Sequence, residues 1–111
     1  QIKSNLAAII LTEPGERLFV PYFGTPLKKV NLNAPMDIVR SEIRMKIAAA
    51  IKKWEKRIQV NDVVIDLAPN EEEKLILKIN VSFIDPKNVS NIENLVIYKS
   101  LGGMNGRTMP F

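Results

Sequence analysis

The 111-residue sequence contains no cysteine and no histidine. Without cysteine there is no disulfide framework and no thiolate zinc site, so a reducing compartment or an assembled particle suits the chain better than secretion. Without histidine it lacks the commonest general base, the commonest metal ligand and the side chain that titrates near neutral pH. Long apolar runs are missing too. The longest, Leu6-Ala7-Ala8-Ile9-Ile10-Leu11, is about a third of the ~20 residues that a membrane-spanning helix needs, so no membrane partner is expected. Thr12-Glu13-Pro14-Gly15 follows it, where a signal peptide would carry a small-residue cleavage site.

The catalytic inventory is correspondingly thin. Ser4, Ser41, Ser82, Ser90 and Ser100 have no histidine to activate them, and no glycine-rich loop is spaced to cradle phosphates. Glu13 and Glu16 flank Pro14-Gly15 and resemble, at a stretch, the carboxylate pair of a glycoside hydrolase. A charged turn after a helix is the plainer reading. Glu71-Glu72-Glu73 reads as a solvated hairpin tip, because a calcium loop needs spaced ligands and a glycine. No cofactor or metal is expected, and the chain is read as a non-enzyme.

What the sequence does have is a mild excess of positive charge, 16 Lys and Arg against 12 Asp and Glu, net +4. Arg40, Arg44, Lys46, Lys52, Lys53, Lys56 and Arg57 crowd one stretch, against Asp37, Glu42 and Glu55. A nucleic-acid-binding module, reading through Arg40, Arg44 and Lys46, is therefore one alternative. It is disfavoured because aromatic residues hardly interleave with the cations, and an acidic protein surface serves as well for a partner.

Periodicity outlines one α+β domain over residues 1–99 and a flexible C-terminal tail over residues 100–111. Ile2, Leu6, Ile9 and Ile10 predict a short amphipathic helix over 2–12, stopped by Pro14 and Gly15. Prolines make 17–35 irregular. Ile43, Ile47, Ala50, Ile51 and Trp54 predict a helix over 36–54, with Asp37 at its start and Lys52 and Lys53 at its end, as the helix dipole favours. Strands are predicted over 58–67, with a break or bulge at Asn61-Asp62, over 74–84, and over 95–98. The sum is a small three-stranded antiparallel meander with two helices packed on one face, the other face polar and solvated.

Two segments carry more than composition. The first runs from Ile2-Lys3-Ser4-Asn5-Leu6 into Pro14-Gly15-Glu16-Arg17 and Pro21-Tyr22-Phe23-Gly24; the second ends the long helix as Trp54-Glu55-Lys56-Arg57. Their order and separation resemble the gpW / gene-twenty-five-like family, the baseplate wedge proteins of contractile phage tails and related injection systems. The resemblance covers residues 2 to about 98 and includes the strand pattern after Ile58. It implies a structural, non-catalytic subunit in the baseplate of a virion tail, present in several copies in a symmetric assembly. Its expected partners are other wedge proteins, joined as a helical core bundle, and tail sheath subunits, with the central hub or tube as a further candidate.

In the family a Glu-Pro-Arg motif grips the bundle, so the resemblance assigns that role to Glu55, Lys56 and Arg57. It assigns strand addition by the sheath to an edge carrying Leu75, Leu77, Ile79, Val81, Leu95 and Ile97, and identifies Gly15, Glu16, Arg17, Phe23 and Gly24 as the family turn. Lys56 replaces the proline. In a continuing helix Glu55 and Arg57 would diverge by about 200°, whereas in an extended chain they point the same way. The helix is therefore expected to end by Trp54 or Glu55, with Trp54 anchored in the core and Glu55 and Arg57 presented outward. Some family members have been labelled lysozymes, which keeps glycoside hydrolysis through Glu16 as a minor alternative.

Overall fold

The computed structural model describes residues 1–69, 74–88 and 91–103. Helix α1 (Ile2–Leu11) buries Leu6, Ile9 and Ile10, and ends where Thr12 turns extended while its N–H still reaches Ala8 O at 3.1 Å. Helix α2 (Met36–Trp54) starts at Pro35, whose fixed φ and missing N–H suit a helix entrance. Val39, Ile43, Ile47, Ala50 and Ile51 form its buried stripe. Between the helices a single 3-10 turn, Leu27–Lys29, interrupts the otherwise irregular chain.

Three strands follow, β1 (Gln59–Pro69), β2 (Lys74–Ile84) and β3 (Ile92–Gly103), paired antiparallel in the order β1-β2-β3. The register stacks Val63, Val81 and Leu95 in one row and Ile65, Ile79 and Ile97 in the next. These rows face the helices, and with Leu75, Leu77 and Phe83 they close a single core over α1 and α2. The α+β architecture expected from periodicity is the one observed.

Several details differ from expectation. β3 is far longer than 95–98. It takes in Ser100–Gly103, which the sequence reading gave to the tail; the rest of that tail, and the Glu71–Glu73 tip, lie outside the described residues. The ladder register shifts between Val60 and Asp62, which is the predicted bulge. β2 is the central strand, hydrogen-bonded on both sides, so Leu75, Leu77, Ile79 and Val81 cannot belong to a free edge. The edges are β1 and β3, and only Leu95 and Ile97 of the expected edge set lie on one.

The outer face is also less polar than the alternation of β2 suggests. β2 presents Lys78, Asn80 and Ser82 there, but its neighbours present exposed Val64 on β1 and exposed Ile92, Val96 and Tyr98 on β3. The contrast between faces is testable by urea unfolding. Leu77→Ala, at the fully buried centre, is expected to cost about 2–5 kcal/mol by leaving a cavity, and Val64→Ala less than about 0.5 kcal/mol as a surface change.

Candidate functional site

The two sequence motifs, separated by 30 positions from Gly24 to Trp54, meet in space. After α1 the chain makes a closed loop: Gly15 N donates to Pro21 O at 2.6 Å, Phe23 N to Val20 O at 3.1 Å, and Thr25 N to Thr12 O at 2.9 Å. Glu16 closes the turn from outside, its Oε1 accepting from Glu13 N at 2.6 Å. Glu13 holds it from inside. Its buried carboxylate accepts from Leu27 N at 2.7 Å and Lys28 N at 2.9 Å, serving the free N–H groups at the start of the 3-10 turn. Both acids of the imagined hydrolase pair are thus occupied by main-chain donors, and within the charged turn expected after the helix Glu13 is a buried internal brace.

Gly15 and Gly24 both have positive φ, +98° and +120°. At Gly24 a Cβ would also collide with Thr12 O and lie 2.8 Å from Thr12 C, while at Gly15 nothing lies within 4 Å. From this loop Arg17 sits 4.1 Å above the centre of the Phe23 ring, and Phe23 packs on Trp54 with centroids 5.2 Å apart at 60°. Lys53 covers the Trp54 ring, at 5.1 Å. Trp54 is half-buried, anchored by Phe23 as well as by the core.

α2 ends at Trp54, as expected without the family proline. Glu55 takes φ −129° and ψ 89°, and its N–H makes the last helical bond to Ile51 O at 2.8 Å. The expected outward presentation of Glu55 is overturned: it is only 4% exposed. The turn at Lys56-Arg57 brings Arg57 back onto it, with Nε to Oε1 at 2.8 Å and Nη2 to Oε2 at 2.7 Å. Arg57 N also donates to Oε1 at 3.2 Å, and Asn5 Nδ2 of α1 reaches Oε2 at 3.3 Å. The Arg57 side chain is half-exposed, and Lys56 is exposed beside it. So the cations of the motif face outward, held by an inward carboxylate.

This fork lowers the Glu55 pKa from 4.5 to about 2; the Arg57 side-chain bonds do most of it, against the opposing effect of burial. The same contact raises the pKa of Arg57.

The basic stretch forms no single patch. Arg44 and Lys46 lie about 200° apart around α2 at 3.6 residues per turn, and Lys46 is paired with Glu42 at 3.8 Å. Arg40 and Arg44 are exposed on the other flank. Sequence reasoning missed the three most exposed large apolar side chains among the described residues, all on the loop: Leu18 is 85%, Phe19 90% and Tyr22 75% exposed. The run Leu18-Phe19-Val20-Pro21-Tyr22 carried that signal, since its residues follow neither a helical nor a strand period. Among the described residues, no helix is long and apolar enough to cross a membrane.

Comparison with known proteins accords with this geometry. Residues 1–86 match the family described as baseplate wedge protein gp25. A search of curated proteins gives no match. Among solved structures, a protein from Geobacter sulfurreducens described as a candidate tail lysozyme superposes with a TM-score of 0.72 at 23% identity, over 89% of this chain and 86% of that one. A chain of the baseplate complex from the type VI secretion system superposes with a TM-score of 0.70 at 16% identity, over 87% of this chain and 88% of that one. At such identities these two likenesses speak for the fold.

Two measurements follow. Gly15→Ala is expected to cost about 1 kcal/mol from backbone strain alone, and Gly24→Ala clearly more, because a backbone clash adds to the strain; urea midpoints decide. Glu55 titrates lower in the folded chain than in the unfolded one, so its contribution is complete above pH 4.5 and is lost as pH falls toward about 2. Arg57→Ala removes the fork, so acid unfolding should begin about one pH unit or more higher, as followed by circular dichroism.

Proposed function

The chain belongs to the baseplate wedge protein gp25 family, and from that membership we propose that it joins a helical bundle of other wedge proteins to the tail sheath, offering β3 as the template on which sheath strands add. The observation that carries this reading is the unequal state of the two sheet edges. β1 is kinked by its bulge at Val60–Asp62 and ends in Pro69, two features that blunt an edge against pairing. β3 runs for 12 residues without a proline, keeps unbroken register with β2 from Ile92 to Ser100 and shifts only between Ser100 and Gly103, and carries the exposed apolar side chains Ile92, Val96 and Tyr98 on its outer face. In strand addition main-chain bonds give affinity and alternate side chains give register; β3 supplies both.

The bundle contact is assigned to Arg57 and Lys56, with Glu55 as the residue that positions Arg57. A guanidinium already held in a bidentate fork loses little freedom on binding, and its remaining N–H donors suit carboxylates or carbonyls at a bundle surface. A structural role in the baseplate also fits the engagement of both loop carboxylates, Glu13 and Glu16, by main-chain N–H groups.

Reconstitution with purified sheath subunits and wedge proteins tests both contacts. Val96→Asp with Tyr98→Asp is expected to abolish nucleation of the first sheath ring while leaving the fold and wedge binding intact. Arg57→Ala is expected to weaken wedge binding at least tenfold, with Arg57→Lys intermediate. Added sheath subunits should slow amide hydrogen exchange in β3 and leave β1 unchanged. Sheath rings forming at the normal rate on the double variant would remove the β3 assignment.

A further inference from the structure

Between the closed loop and the C-terminal half of α2 lies an open cleft of about 320 Å³. Its floor and walls are apolar, made chiefly by Trp54, Ala49 and Ala50 of the helix and Tyr22 of the loop. Lys46 and Lys53 stand at it, seven residues and therefore two helical turns apart on one side of α2. No acidic residue lines the cleft. Lys46 shares Glu42 at 3.8 Å, at the long end of ion pairing; Lys53 lies over the Trp54 ring and has no carboxylate partner among the described residues.

An apolar slot flanked by two cations, with no anion of its own, selects for a ligand that carries an apolar group and negative charge together. The spacing suits a peptide. Two turns of helix span about 10.5 Å at 1.5 Å per residue, the length of roughly three extended residues. A second copy of the chain, at net charge +4, would bring like charge to the rim, and like-charge juxtaposition opposes association. We propose that this cleft is a docking site for a short acidic segment of a partner protein, one apolar side chain entering between Trp54 and Tyr22 while flanking carboxylates meet Lys46 and Lys53. The site is separate from the β3 edge and from Arg57, and it stands whether or not the sheath and bundle assignments do.

The cleft contains the chain's single tryptophan, so occupancy reports itself in Trp54 emission. The probe is an acetylated, amidated hexapeptide with a central Leu-Phe between two acidic pairs, titrated into the full chain. A saturable change in emission is expected, with a Kd on the order of 10⁻⁴ M, weakening several-fold between low and high salt. Two control peptides, one with lysines in place of the acids and one with alanines in place of Leu-Phe, should bind at least tenfold more weakly. Lys53→Glu should weaken binding at least tenfold. Lys52→Glu changes the net charge equally but lies outside the cleft, and it should stay within about twofold. Thermal unfolding of each variant checks that it is folded. No saturable change at millimolar peptide, equal binding of either control peptide, or equal effects of the two lysine variants would overturn the proposal.

Discussion

The carboxylate of Glu55 is the interaction on which the rest of the architecture turns. A buried carboxylate without partners would cost several kcal/mol, yet this one accepts from Nε and Nη2 of Arg57, from Arg57 N and from Asn5 of α1. Each bond fixes a different piece of chain. Asn5 ties α1 to the end of α2; Arg57 fixes the turn that feeds β1; and Glu55, leaving helical geometry, stops α2 at Trp54. The helix layer and the sheet are thereby set relative to each other at one point. A proline would stop the helix by steric exclusion. Here a pair of charge-assisted hydrogen bonds accompanies the same stop, and Lys56 remains free at the surface.

Glu13 repeats the device on a smaller scale. It is a second buried acid spent on main-chain N–H groups, and it shapes the loop whose Phe23 leans on Trp54. Through the stack of Arg17, Phe23 and Trp54 the loop and the helix end support one another, so neither motif is a free-standing signature. The loop presents Leu18, Phe19 and Tyr22 to solvent on a frame pinned by its own hydrogen bonds. Aromatic side chains held out on a closed frame suit a protein whose surfaces are covered on assembly.

Much of this was legible in the sequence because period is a strong signal. The i, i+3, i+4 stripe of α2 and the strict alternation of β2 led directly to their positions, and the bulge at Asn61-Asp62 was visible as a polar break in a strand. Where sequence reasoning failed, the deciding fact was a long-range pairing. Strand order cannot be read from the alternation of β2, because inner-face residues alternate on a central strand and on an edge strand alike. β3 was read as short because Ser100, Gly102 and Gly103 have weak strand propensity, yet the ladder from Lys74 carries them. The inward-turned Glu55 also meets Asn5, fifty residues earlier in the chain, a contact that no local pattern announces.

The unequal edges have a consequence for growth. A sheet open on both sides is a divalent monomer, able to accept a strand on one edge and extend the next subunit from the other, which is how runaway fibres begin. Both edges carry a register shift, at Val60–Asp62 on β1 and between Ser100 and Gly103 on β3, but β1 alone ends in proline; under the proposed strand addition this leaves the subunit monovalent in backbone hydrogen bonds. On that proposal it starts a ladder and does not continue one, so the number of strands added is counted by the number of subunits already placed.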